Sequence, residues 1–210
     1  MRLVSTLATA AALLVAAPAL AALAPGAKAP DFTTRGAIAG KVFTVHLAEQ
    51  LKKGPVVLYF FPAAYTGGCN AEAHAFAEAI PAFTKAGATV IGMSADNVET
   101  LSKFSAEKCA GKFAVASAGP NVVKGYDVAL GKQMAGRDIT KRTSYVIAKD
   151  GRIAFVHDEM NPEAHVSTTL AAVQKLTGKQ SIETGPANTC RSGDIMITLS
   201  GLSLRRGRGG

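Results

Sequence analysis

The sequence predicts an α/β fold, a central mixed β-sheet flanked by helices, and three observations lead there. Short continuous apolar runs, rich in β-branched and aromatic residues, read as buried strands. Segments with apolar residues three and four apart lie between them and read as amphipathic helices. Two late apolar runs joined by Lys149-Asp150-Gly151 read as a hairpin with a glycine turn. Alternation first and a hairpin later put parallel and antiparallel neighbours in one sheet.

The elements follow in order. Residues 22–32 are rich in Pro, Ala and Gly and lead extended into the domain. Residues 55–61 (PVVLYFF) form the first buried strand, and Pro62 ends it because proline cannot donate to a ladder. The small residues Thr66-Gly67-Gly68 make a turn leading to Cys69. Ala73, Phe76, Ile80 and Phe83 then mark the buried side of a helix in which Pro81 is expected as a kink or break. Residues 88–93 form a second buried strand. Asp96, with Glu99 three residues on, is expected to cap the next helix. That helix carries Val98, Leu101 and Phe104 on one face and runs to about Cys109. Residues 113–116 read as a strand, 144–148 and 152–156 as the hairpin, and 163–176 as a closing helix. No repeat at solenoid spacing is present.

The chain divides into three parts: a signal peptide over 1–21, a domain over 22–178, and a partly disordered C-terminal tail over 179–210. Arg2 precedes an uncharged, Ala- and Leu-rich run, and Ala19-Leu20-Ala21 supplies small residues for a cut. The protein is therefore expected to be exported, periplasmic or secreted. An uncleaved anchor is the alternative, since the apolar run is borderline in length for spanning. No stable membrane association is expected of the cleaved form. The tail holds Cys190, a short apolar piece over 195–204, and Arg205, Arg206 and Arg208.

Composition limits the function classes. Apolar residues are 48% and charged residues 18% of the 210, which excludes wholesale disorder. Three cysteines are too few for a disulfide scaffold. The formal charge of +8 is spread along the chain, and without Trp there is no stacking platform, so nucleic acid is not expected as a partner. His46, His74, His157 and His165 lack metal-ligand spacing and read as surface or capping residues. No C-x-x-C, G-x-S-x-G or phosphate loop is present. No cofactor or metal is implied.

Cys69 is where chemistry concentrates. A strand ends, a flexible turn follows, and the cysteine opens a helix. Free N–H groups and the dipole at a helix N-terminus favour an anion. A thiol with a pKa of about 8.5 is only a few per cent ionised at pH 7, so such a position activates it. By position alone, a small buried cysteine packed behind a strand fits equally well.

Pro62-x-x-x-Thr66-x-x-Cys69 at the end of an apolar strand resembles the active-site motif of the peroxiredoxins (the AhpC/TSA family). Ala29-Pro30-Asp31-Phe32 resembles the family's opening, and Val90-Ile91-Gly92-Met93-Ser94-Ala95-Asp96 the strand and turn after its first helix. Arg142-Thr143-Ser144-Tyr145-Val146-Ile147 resembles its late arginine and strand, and Asp150-Gly151 its hairpin turn. The likeness runs from about residue 26 to about 176. It is nearest to the bacterioferritin-comigratory, or Q-type, branch. It implies a thioredoxin-like fold and a thiol peroxidase acting on hydrogen peroxide and organic hydroperoxides, recycled by a thioredoxin-like protein, as a monomer or homodimer.

The resemblance also implies roles. Cys69 would be the peroxidatic nucleophile, Thr66 would hydrogen-bond the peroxide, and Pro62 would shield the sulfur. Arg142 would stabilise the thiolate and transition state, and Glu72 would orient Arg142, the alternative for Glu72 being a solvated first-turn residue. Cys109 would resolve the sulfenic acid through a transient disulfide with Cys69; the alternative for Cys109 is a packed core thiol, and Cys190 is either the resolving residue instead or incidental. Gly67 and Asn70 depart from the family pattern, which usually has Pro or Val and often Thr there. Two other readings remain: a thiol–disulfide exchanger on the same fold, and a non-catalytic exported scaffold.

Overall fold

The computed structural model describes residues 22–179. The segments 1–21 and 180–210, with the expected signal, Cys190 and nearly all of the tail, lie outside the described residues. The first described residues run beside the later hairpin, where Gly26 N–H donates to the Ile153 carbonyl and Ala29 N–H to that of Gly151.

Nine strands and five helices follow: β1 (Thr33–Ile38), β2 (Lys41–His46), α1 (Leu47–Lys53), β3 (Val56–Phe60), α2 (Gly67–Lys85), β4 (Thr89–Ser94), α3 (Val98–Glu107), β5 (Ala114–Ser117), α4 (Pro120–Gly125), β6 (Ala129–Met134), β7 (Arg137–Thr140), β8 (Thr143–Ile147), β9 (Ile153–Asp158) and α5 (His165–Thr177). Seven strands form one sheet in the order β2-β1-β5-β4-β3-β8-β9, and β6 and β7 pair separately. β3 is parallel to β4 and antiparallel to β8, so the sheet is mixed as its sequence predicts. This is the thioredoxin-like architecture that the resemblance implies.

β3 shows why the sequence folds this way. All five of its residues are buried, because the strand is central and both faces are covered. Val57 and Tyr59 join Phe76, Phe83, Leu101, Phe104 and Val173 in the core beneath α2, α3 and α5. Val56, Leu58 and Phe60 face Leu47, Leu51, Tyr126 and Tyr145 in the core on the other side. The strand therefore ends, at Phe60, between two packed layers, and Pro62 follows in the loop.

Two expectations are corrected and one is narrowed. Of the kink or break expected at Pro81, the break is absent, since α2 continues to Lys85. Proline removes one backbone bond, but Phe76 and Phe83 anchor the helix to the sheet on either side. Asn97, not Asp96, caps α3, its side chain accepting from Thr100 N–H at 2.8 Å. Asp96 is drawn inward, where it accepts from Ala64 N–H at 2.8 Å and the Ser94 hydroxyl at 2.7 Å and pairs with Arg137. His165 is fully buried rather than a surface residue.

Candidate active site

The loop between β3 and α2 is held from below. Asp96 takes its Ala64 N–H, and the Thr140 hydroxyl donates to the Phe61 carbonyl at 2.7 Å. Tyr65 sits at φ 67, a conformation costly for an aromatic residue, with its ring edge-on to Phe104 at 5.4 Å between centroids. Thr66, extended, is the N-cap of α2; its hydroxyl donates to the Ala63 carbonyl at 3.0 Å rather than closing the helix end. The first intrahelical bond runs from Asn70 N–H to the Thr66 carbonyl, leaving the Gly67, Gly68 and Cys69 N–H groups without intrahelical partners. Pro62 is buried in the same loop.

Cys69 lies in this first turn with only 1% of its surface exposed. Arg142, just ahead of β8, is also buried and places Nη2 3.5 Å from the Cys69 Sγ. Its other donors are engaged: Nη1 with Glu72 Oε2, and Nε with the Met160 carbonyl at 2.9 Å. A guanidinium held from three sides in a buried site delivers its charge in a fixed direction. Gly68 permits that approach, since a Cβ there would stand 3.2 Å from Arg142 Nη2.

Glu72, one turn of helix after Cys69, is buried and not solvated. Burial pushes its carboxyl up to about 7, with Arg142 pulling the other way. Its Oε1 has no hydrogen-bond partner and stands 3.8 Å from His165 Nδ1. His165 lies between the Ser144 hydroxyl, 2.8 Å from Nδ1, and the Glu159 carbonyl, 2.8 Å from Nε2. Burial pushes this imidazole down to about 4, so it is neutral at pH 7.

Cys109 follows α3 and is wholly enclosed in the core layer beneath α2, α3 and α5. Burial pushes its thiol up to about 12. Both described cysteines are free.

Cys69, Thr66, Glu72 and Arg142 thus gather at the N-terminus of α2, with Pro62 in the loop that leads there. The sequence reading missed His165, Ser144 and the Met160 carbonyl behind them. No spacing rule signals these, because they come from separate elements joined only by the fold. Among the described residues no group of His, Cys, Asp and Glu is arranged to hold a metal ion.

Comparison with known proteins identifies the family and the fold. A family model described as the AhpC/TSA family matches residues 25–156. The chain is 34% identical over 155 residues to a chloroplastic peroxiredoxin Q of Oryza sativa subsp. japonica, covering 72% of this chain and 67% of the relative. It is 35% identical over 152 residues to that of Triticum aestivum, with 72% and 67% covered. Peroxidoxin BcpB of Mycobacterium tuberculosis superposes with a TM-score of 0.64 at 30% identity, over 72% of this chain and 97% of that one. Peroxiredoxin Q of Xanthomonas campestris gives 0.59 at 25% identity, over 68% and 90%.

Proposed function

This chain belongs to the AhpC/TSA family, as a thiol peroxidase of the peroxiredoxin Q kind, and from that premise we propose that Cys69 carries its chemistry on hydrogen peroxide and organic hydroperoxides. The observation that supports this most directly is the Arg142 guanidinium 3.5 Å from Sγ at the mouth of α2. The fixed cation and the free N–H groups favour a thiolate and the negative charge that develops on peroxide oxygen. The thiolate attacks one oxygen, the O–O bond breaks, and Cys69 becomes a sulfenic acid. The leaving oxygen takes a proton and departs as water or alcohol. The Thr66 hydroxyl gives its hydrogen to Ala63, so its lone pairs are free to accept the peroxide O–H. Pro62 keeps bulk water from the sulfur, and Glu72 holds Arg142 in place.

Resolution follows by attack of the Cys109 thiolate on the sulfenic sulfur, forming the disulfide and releasing water. In the closed fold burial keeps Cys109 protonated and inert. Local unwinding of the first turn of α2 and the end of α3 brings it to water and to Cys69. A thioredoxin-like dithiol outside the cytoplasm then returns both thiols, acting on a monomer or homodimer released from the 1–21 signal.

Trapping with a sulfenic-acid reagent after one equivalent of peroxide tests the assignment. A label on the Cys69 peptide, and loss of peroxide consumption in Cys69→Ser, are expected. A label elsewhere, or an active Cys69→Ser, rejects it. N-terminal sequencing of the mature protein tests the signal, the expected start being Ala22.

A further inference from the structure

We propose that His165 is a positioning residue that sets how the Arg142 cation is shared between Glu72 and Cys69. The inference rests on the reading of Cys69 as the reacting thiolate and extends it one layer inward.

The hydrogen bonds fix the imidazole's state. The Glu159 carbonyl can only accept, so His165 Nε2 carries the hydrogen and donates it. Nδ1 of the neutral ring is then an acceptor, and the Ser144 hydroxyl donates to it. The edge that faces Glu72 Oε1 at 3.8 Å is therefore a lone pair already engaged, with no donor to offer. An ionised Glu72 is served by Arg142 at Oε2 and by nothing at Oε1. A buried carboxylate oxygen without a donor favours the protonated form.

That preference matters because two potential anions face one guanidinium. With Glu72 ionised, its charge offsets Arg142 and weakens the pull on Sγ. With Glu72 protonated, the cation acts on Cys69 alone. The groups facing this cluster come from four sides. They are Cys69 on the same helix, Arg142 ahead of β8, Tyr59 on β3, and His165 on α5, with the Asp158 carboxylate of β9 acting on that imidazole and His157 of β9 behind it at 4.5 Å between ring centroids. A donor-free imidazole at this position steers Arg142 toward the thiol.

The test is the pH profile of iodoacetamide alkylation at Cys69, read on the Cys69 peptide by mass spectrometry in the full chain. His165→Asn places an amide N–H near the former Nδ1, where it can serve Oε1 and favour ionised Glu72. The profile is expected to move about one pH unit toward alkali, a ~tenfold slower reaction on its acid side. In a Glu72→Gln background the same substitution is expected to move nothing further. An equal move in both backgrounds, or none in the native one, overturns the proposal. If His165→Asn does not fold, Ser144→Ala decides. It frees the Nδ1 lone pair for a protonated Glu72, so the profile is expected to move toward acid; an alkaline move or none overturns the proposal. Peroxide consumption by the native chain, with Cys69→Ser as control, is measured in parallel, so a failed peroxidase reading is distinguished from a failed role for His165.

Discussion

Cys69 and Cys109 are equally hidden from water, at 1% and 0% exposure, and pack into the same core layer. Their surroundings differ. Around Cys109 there is hydrocarbon, and burial pushes its thiol up to about 12. Around Cys69 there are a helix N-terminus and a guanidinium held by a carboxylate and a carbonyl. Exclusion from water by itself silences a thiol. Exclusion from water with oriented positive charge strengthens the field acting on it, because the local dielectric is low. Neighbours, not depth, separate the two cysteines.

The sharpest way to break this comparison is to remove the cation. Arg142→Met is expected to slow the single-turnover reaction with peroxide by ~10²–10³-fold, the usual cost of losing one preorganised donor. Stopped-flow mixing at pH 6 measures it, where Glu72 without its partner is largely protonated. A loss under tenfold would mean that the helix terminus alone distinguishes Cys69. Cys109→Ser sharpens the other side. The first oxidation of Cys69 is expected at the native rate, and without any external thiol its product is expected to persist as a sulfenic acid open to a sulfenic-acid reagent. An intrachain disulfide formed by the variant would move the resolving role away from Cys109.

The same two regions show what the sequence could and could not disclose. The central strand was legible because its apolar residues are consecutive, and Cys69 because it follows that strand through a glycine turn. The hairpin of β1 and β2 was not, since β2 reads KVFTVH and is largely exposed, with no buried periodicity to detect. Asp96 looked like a cap because capping is local, but its charge is claimed by Ala64, Ser94 and Arg137 from other parts of the fold. Arg142 and Glu72 were found through a family resemblance, not through spacing. His165 had neither pattern nor motif. Its role depends on α5 docking beside β8, which only the packed fold supplies.

Proton linkage gives the next largest effect, and the two buried groups act with opposite sign. Glu72 has its folded pKa raised to about 7 from 4.5, so the folded state holds the extra proton between those values and stability falls as pH rises through that window. His165 has its folded pKa lowered to about 4 from 6.5, so the unfolded state holds the extra proton and stability falls as pH drops from 6.5 toward 4. Between pH 4.5 and 6.5 the two slopes oppose each other. Glu72→Gln is expected to expose the histidine slope, losing about 1 kcal/mol per pH unit on acidification relative to the native chain. Urea melts at pH 6.5, 5.5 and 4.5 check it. Parallel pH profiles for the two proteins would show that these groups do not titrate in that window.

The smallest expected effects separate the two steps at adjacent glycines. A Cβ at Gly67 meets open space, whereas one at Gly68 stands 3.2 Å from Arg142 Nη2. Gly67→Ala therefore leaves the site intact and stiffens the first turn of α2, by about 0.4–1 kcal/mol through the unfolded chain. If that turn must unwind for the two sulfurs to meet, disulfide formation slows by ~2–5-fold while oxidation of Cys69 keeps its rate. Gly68→Ala displaces the guanidinium as well and slows both steps. Rapid-quench mass spectrometry resolves sulfenic acid from disulfide in each variant. Unchanged disulfide formation in Gly67→Ala would place the motion elsewhere, at the end of α3. There Ala110 and Gly111 both adopt positive φ, and Cys109 would be the cysteine that travels.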